Sequence, residues 1–513
     1  MALETAQIDN LPSNIEVLII GAGPAGLFAA CELLRHGVKP RIIERRLAPH
    51  HETRGTALQP AVLELLHKAG VIEPFLAESV RIKEIELLGP GQARIGLTQL
   101  AGLGCKYEFQ CSQPQWFTEA ALRGNLAGRG VQVEFGVEAT PVGADGDGVT
   151  MSLDKGGRKE IVRADYLIGA DGGHSVSRHS MHERLDGETY GGRFIVADVK
   201  LTLPAPPGRG RVVIGPRGFV LLAPLPEGRL LVFVNRDEGD QRVEAASVAE
   251  LGALLNERIG TDVGLSDLRW TSYFQMHKRV APFLSDGRRF LLGDAGHLSS
   301  PMGGEGINSA LMDGADIAWK LALVVRGAAK PSLLATYPIE RGLADRHVLE
   351  VSNEIHAFVM QLVEKCRAGE PLSPPAQDPA EVLAGLRKRS MLDVSYKGSL
   401  LIDGSGGEAE PMPGARFPGW CDLKGATHHL VVFGEAPGLD PFLPRWGALV
   451  SVVEGRQAGL DPAQAGLPEG GVVLVRPDGF IGFRCGSADE NAMKALDAHL
   501  STYLHPSVAA VAD

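Results

Sequence analysis

Three carboxylates stand where a chain could hold a polyhydroxylated, phosphorylated ligand. Glu44, Asp171 and Asp294 each lie at the end of a short apolar run, and the last two sit beside glycine. An ionised carboxylate at such a place accepts hydrogen bonds from sugar or polyol hydroxyls, or from the backbone of its own turn. The first run, Val17 to Ile20, feeds the turn Gly21-Ala-Gly-Pro-Ala-Gly26. There Gly21 permits a tight turn, Gly23 lets backbone approach a pyrophosphate, and Gly26 lets helix and strand pack closely, with Ala25 between them. A fourth candidate is the loop from Pro301 to Gly306, whose exposed N–H groups open a segment beginning Ile307-Asn308. Such N–H groups, with a helix dipole behind them, stabilise negative charge on a ligand.

These residues need elements to hold them. Val17 to Ile20 is a continuous apolar run of the kind buried in a parallel sheet, and Ala25 to Arg35 has helical composition. The run Val38 to Ile43 predicts a second strand, delivering Glu44 18 residues beyond Gly26. An acid at this place suits a ribose with a free 2′-hydroxyl, so FAD or NAD fits better than NADP. Ala164 to Gly169 and Arg289 to Leu292 predict two further strands, ending at Asp171-Gly172 and Gly293-Asp294. After Gly306, apolar or small residues at Ile307, Leu311, Gly314, Ala318, Leu321 and Val325 repeat along one helix face.

In this order, and with their flanking residues, the three motifs resemble the fingerprints of class A flavoprotein monooxygenases, the FAD-dependent aromatic hydroxylases. The matching stretches run from about Val17 to Tyr337. The resemblance implies an α/β fold: a Rossmann-like FAD-binding domain with an inserted β-sheet substrate domain and a thioredoxin-like C-terminal domain. It implies that FAD meets Gly21, Gly23, Ala25, Gly26, Glu44, Arg45, Arg54, Gln115, Ala139, Asp171, Asp294, Pro301, Gly306, Ile307 and Asn308. Arg54 opens a segment similar to the family's arginine near the flavin, and Gln115-Trp-Phe-Thr-Glu119 resembles its Q-x-x-T-E helix. The match departs at Gly296, Ser300 and Glu305, where the family often has alanine, proline and glutamine. Glu305 is expected to bring an extra negative charge near the flavin ring.

The expected domains are 12–186 with 280–370 for FAD, 187–279 for substrate, a linker over 371–410, and a tail over 411–513. Phe194 to Lys200, Gly210 to Gly215, Gly218 to Leu225 and Arg229 to Asn235 read as strands of the substrate domain. The tail resembles that of phenol-hydroxylase-type members, but Cys421 and Cys485 lie too far apart for C-x-x-C chemistry. It is expected to be structural or to make a homodimer contact.

A net charge of -11 on 513 residues argues against nucleic acid or anionic membrane as partner. The six cysteines show no metal-ligand spacing, no metal is expected, and no signal peptide or membrane span is read, so the expected location is cytoplasmic. The resemblance implies an enzyme, an NAD(P)H-dependent monooxygenase with bound FAD and a transient NADPH or NADH. O2 adds to the reduced flavin as a C4a-hydroperoxide, and one oxygen passes to a phenolic or related small aromatic substrate. No catalytic base is assigned: Thr56 stands where phenol hydroxylases carry aspartate, and His277 is a catalytic candidate. A Baeyer–Villiger or ring-modifying monooxygenase acting on a bulky natural product is the alternative. The five tryptophans never stand two apart, which disfavours a halogenase, and a non-enzymatic FAD-binding protein leaves the second and third motifs without a purpose.

Overall fold

The computed structural model describes residues 15–203, 206–236, 246–298, 303–372, 378–404 and 409–506. Its first sheet runs, from one edge, Ser285–Asp286, Arg289–Leu291, Arg158–Gly169, Ile15–Ile20, Arg41–Glu44 and Val133–Phe135. From Arg289–Leu291 to Val133–Phe135 the neighbours pair in parallel. Parallel strands covered on both faces must be apolar throughout, and Val17, Leu18, Ile19 and Ile20 are all buried. The helix Pro24–Arg35 covers one face and sinks Leu27, Phe28 and Leu33, each worth about 1.5–3 kcal/mol.

The helix Gly306–Val325 packs against it. The contact is close because Gly314 has no side chain: a Cβ there would lie 3.0 Å from the Ala29 nitrogen. Its six-residue apolar stripe is expected to face one side only. Instead every residue from Asn308 to Ala322 is buried. The long helix Thr336–Arg367 and the C-terminal tail cover what an amphipathic helix would leave to solvent.

A second sheet of eight strands holds the four strands expected between 194 and 235, now bounded as Asp186–Lys200, Arg209–Gly215, Gly218–Leu225 and Arg229–Asn235. Glu84–Leu88 and Arg94–Gln99 extend one edge, so this sheet draws on chain well before 187. At the other edge Val280 pairs with His297, which joins the sheet to the third motif. The helix Val248–Ile259 packs on one face. The last turns of Thr336–Arg367 pack on the other, against Phe194, Phe219 and Phe233.

The tail sheet has the order Ile481–Cys485, Gly471–Val475, His428–Phe433, Val450–Glu454. The last two pair in parallel around the helix Leu439–Trp446, the first two form an antiparallel hairpin, and the helix Glu490–Tyr503 follows. That β-α-β-β-β-α order is the thioredoxin-like arrangement. The expected linker is more than a linker: it carries the helix Pro379–Arg389 and buries Met391, Leu392, Val394 and Tyr396 in the main core. Among the described residues no helix is long and apolar enough to cross a membrane.

Candidate functional site

Register brings the three motifs to one edge. Ile20 stands level with Ile43 and Gly169, and Gly169 with Leu291. Because these strands are parallel, their four carboxyl ends open on the same side. That is where ligands bind in open α/β sheets. The glycine turn, Glu44, Asp171 and Asp294 therefore surround one crevice. A surface hollow of about 640 Å³ beside Lys39, Arg41 and Gly130 lies at the opposite end of the strands, away from all of them.

The three glycines divide the work between packing and access. Gly21 has φ +104°, and a Cβ there would meet the Ala170 carbonyl oxygen at 2.3 Å. A Cβ on Gly26 would meet the Gly21 oxygen at 2.1 Å. At Gly23 nothing lies within 4 Å. Two glycines are thus demanded by the protein itself, and the third by space that the protein leaves open at a helix N-terminus.

Glu44 is buried and accepts from the Ala22 amide at 2.9 Å. Its salt bridge, at 3.0 Å, goes to Arg46 and not to the neighbouring Arg45, which is exposed. The Arg46 amide also donates to the Glu44 carboxylate at 3.0 Å, so the chain bends just after the strand and brings Arg46 onto it. Burial alone would raise the Glu44 carboxyl; Arg46 and the Ala22 amide overcome that and hold it below the usual range. The chain after the Val133–Phe135 strand joins here, with Val137 N donating to Glu44 O at 3.0 Å, and Ala139 follows two residues on, paired with Leu153.

Asp171 is spent on its own turn, accepting from Ser175 Oγ at 2.5 Å and Ser177 N at 2.9 Å. Arg178, buried behind it, donates to Gly173 O at 2.7 Å and Ala295 O at 2.8 Å, tying the second motif to the third. Asp294 differs from Asp171. Its side chain is open to solvent yet crowded by protein on the walls of the crevice, and this desolvation raises its carboxyl, with His297 and Arg54 opposing. An accessible acid in a crowded crevice is what a hydroxyl-bearing ligand would displace water from.

The surrounding loops are held from both sides. Asn308 Oδ1 accepts from Gln59 N at 2.8 Å, and its Nδ2 donates to Ala57 O and Gly304 O. Gln115 Oε1 accepts from Gly55 N at 3.1 Å, and a Cβ on Gly55 would touch Ile307 at 3.3 Å. Thr53 reaches the middle sheet, donating to buried Asp198 at 2.9 Å, which Arg229 also binds. Arg54 remains 61% exposed and pairs with Glu52. Pro301 and the side chain of His277 lie outside the described residues.

Glu305 departs from expectation. It is 1% exposed, and its carboxyl accepts from Ser352 Oγ at 3.3 Å on the Thr336 helix. Burial pushes it up to about 8, against the pull of Arg389 and Lys388. At neutral pH it is mostly uncharged and adds no full negative charge beside the crevice.

Two polar groups that spacing did not reveal lie deeper. His297, Asp313 and Asp345 form one, and Asp316, Glu340 and Asp478 the other, each close enough to share an ion. Protein cations already sit among them: Arg341 in the first, Lys320 and Arg476 in the second. His297 was visible in the third motif. Asp313 and Asp316 were hidden as polar positions of a helix read as one-sided.

A family profile described as "FAD binding domain" matches residues 14–352. A 6-methylpretetramide 4-monooxygenase of Streptomyces rimosus is 32% identical over 91% of this chain and 90% of its own. A pentachlorophenol 4-monooxygenase of Sphingobium chlorophenolicum is 30% identical over 68% of this chain and 65% of its own. The solved anhydrotetracycline hydroxylase of Streptomyces rimosus is 26% identical, covers 96% of this chain and 99% of its own, and superposes with a TM-score of 0.75.

Proposed function

This chain belongs to the FAD-binding-domain family and is a flavin-dependent aromatic monooxygenase; from that premise we propose that it uses NADPH or NADH and O2 to hydroxylate a phenolic or related electron-rich ring. The observation that carries this reading is the convergence of all three motifs on one crevice at the carboxyl ends of the parallel strands. FAD fits it. The open space at Gly23 takes the pyrophosphate against the helix N-terminus, Glu44 takes the adenosine ribose, and Asp294 takes the ribityl hydroxyls.

Bound there, FAD supplies acceptance of hydride from the nicotinamide nucleotide and activation of O2. The chain's own residues place it. The amides opening the Gly306 helix would favour negative charge on a ring held beside them. A neutral Glu305 does not oppose that charge. Thr53, through Asp198, holds the Arg54 loop against the middle sheet, so the two walls of a substrate space move as one. The nicotinamide nucleotide binds transiently, since the sequence carries no second G-x-G-x-x-G followed by a ribose-binding acid.

A polycyclic phenol is the substrate class we favour. What supports this is the 6-methylpretetramide 4-monooxygenase, similar over 91% of this chain, and the anhydrotetracycline hydroxylase structure, which superposes over 96% of it. A panel of mono- and polycyclic phenols, scored by stimulated NAD(P)H oxidation and product mass, tests the proposal. The expected result is a product heavier by one oxygen atom, formed from a polycyclic phenol. Conversion of a ketone to an ester, with no phenol hydroxylated, would overturn it in favour of Baeyer–Villiger chemistry.

A further inference from the structure

Beneath the Asp294 turn lies a charged core that no cofactor contact requires. Asp313, buried on the Gly306 helix, accepts from Gly293 N at 2.8 Å and from Arg341 Nε at 2.6 Å. His297 Nε2 lies 2.7 Å from the same oxygen that Gly293 uses. Gly293 immediately precedes Asp294, and His297 follows it by three residues, so both ends of the Asp294 turn hang on one carboxylate oxygen. Arg178 holds the turn between them by donating to Ala295 O.

The groups facing His297 come from three elements. Asp294 lies on its own turn, Asp313 on the Gly306 helix, and Arg341 and Asp345 on the Thr336 helix, with Asp345 Oδ1 at 3.7 Å. Tyr337 donates to Leu291 O at the base of the strand, and Tyr396 accepts from Arg341. Arg341 and His297 therefore face Asp313, which they hold low against burial, and Asp345, whose carboxyl burial raises. With His297 neutral, Arg341 alone would compensate Asp313 and Asp345. Burial lowers the His297 ring, but Asp345 and Asp313 overcome this and raise it to about 9.

We propose that His297 and Asp313 are positioning residues that fix the direction in which Asp294 points, so that FAD retention depends on the charge of a histidine buried behind the turn. The proposal rests on the assignment of Asp294 to the cofactor. A proton lost from His297 leaves Asp313 without its imidazolium partner, weakens the grip on Gly293 and His297, and frees the turn.

The test is FAD release from the holoenzyme, followed by flavin fluorescence between pH 6 and 10. Wild type is expected to hold FAD evenly up to about pH 8 and to lose about tenfold in retention across the His297 transition. His297→Gln keeps a donor without the charge; it should be weaker by about tenfold at pH 7 and show no break with pH. Asp313→Asn should behave alike. Glu305→Gln, which removes another buried acid that titrates nearby, should keep the break. Asp294→Ala should weaken retention at every pH and make a second change at His297 nearly silent. An Asp294→Ala protein that retains FAD like wild type overturns the assignment of Asp294. Weak retention in Asp294→Ala together with an unaltered pH break in His297→Gln overturns the clamp alone. If neither clamp variant folds, a wild-type profile flat to pH 10 overturns it as well.

Discussion

At the scale of single residues, the glycine turn separates what folding needs from what the ligand needs. Gly21→Ala puts a Cβ into the Ala170 carbonyl at a positive φ, and should cost about 2–4 kcal/mol in denaturant unfolding. Gly23→Ala meets no protein atom within 4 Å. It should melt within a degree or two of wild type yet purify with little FAD, because the new methyl occupies the pyrophosphate's place. A Gly23→Ala protein that stays fully yellow would remove that place from the crevice. Glu305 offers a titration of known sign. Its folded carboxyl is raised to about 8 by burial, so its contribution to stability is whole below the ordinary carboxyl range and is lost as pH rises through about 8. The advantage of Glu305→Gln over wild type in thermal melts should therefore be small near pH 4.5 and grow as pH rises to 9. The opposite trend would mean that the acid is charged in the folded protein.

At the scale of elements, the Gly306 helix is where sequence and structure part. Its flanking motif was readable, because a strand, a Gly-Asp turn and a glycine loop leave local marks. So was the first crossover, since a short apolar strand ending in a glycine turn has few other uses. The helix's polar residues were not readable. Asp313, Asp316 and Lys320 fall off the apolar stripe and suggest solvent, yet all three are buried, because elements distant in sequence supply their partners. Lys320 lies between Asp316 at 2.5 Å and Glu340 at 2.6 Å, and Arg476 of the tail binds Glu340 through two nitrogens. Pattern along one helix does not report charges that a tail more than a hundred residues away will neutralise. The Glu44–Arg46 pair left no mark either, because a bend just after the strand, not a repeat along it, turns Arg46 onto the carboxylate. Removing one member of the Lys320–Arg476 group strands buried charge. Arg476→Met should cost about 3–5 kcal/mol in urea unfolding; a loss under about 1 kcal/mol would show that the group is not strongly coupled to folding.

At the scale of the whole molecule, the tail is part of the flavin domain's core rather than an appendage. Trp319 of the Gly306 helix donates to Asp478 at 3.0 Å and packs edge-on against His428, and Arg416 reaches back to Glu64 at 2.8 Å. Calorimetry should therefore show one cooperative transition for tail and FAD domain together; two separated peaks would mean that the contact is weaker than its burial implies. Trp319, Trp420 and Trp446 are all fully enclosed, and all three lie in the tail or against it. Shielded from water, these three should emit to the blue of an exposed tryptophan and report on the tail and its contact. Tryptophan emission overlaps flavin absorption, so bound FAD should dim it by energy transfer. Loosening the tail would redden the glow before the yellow colour is lost, and the enzyme carries its own lamp for watching that joint open.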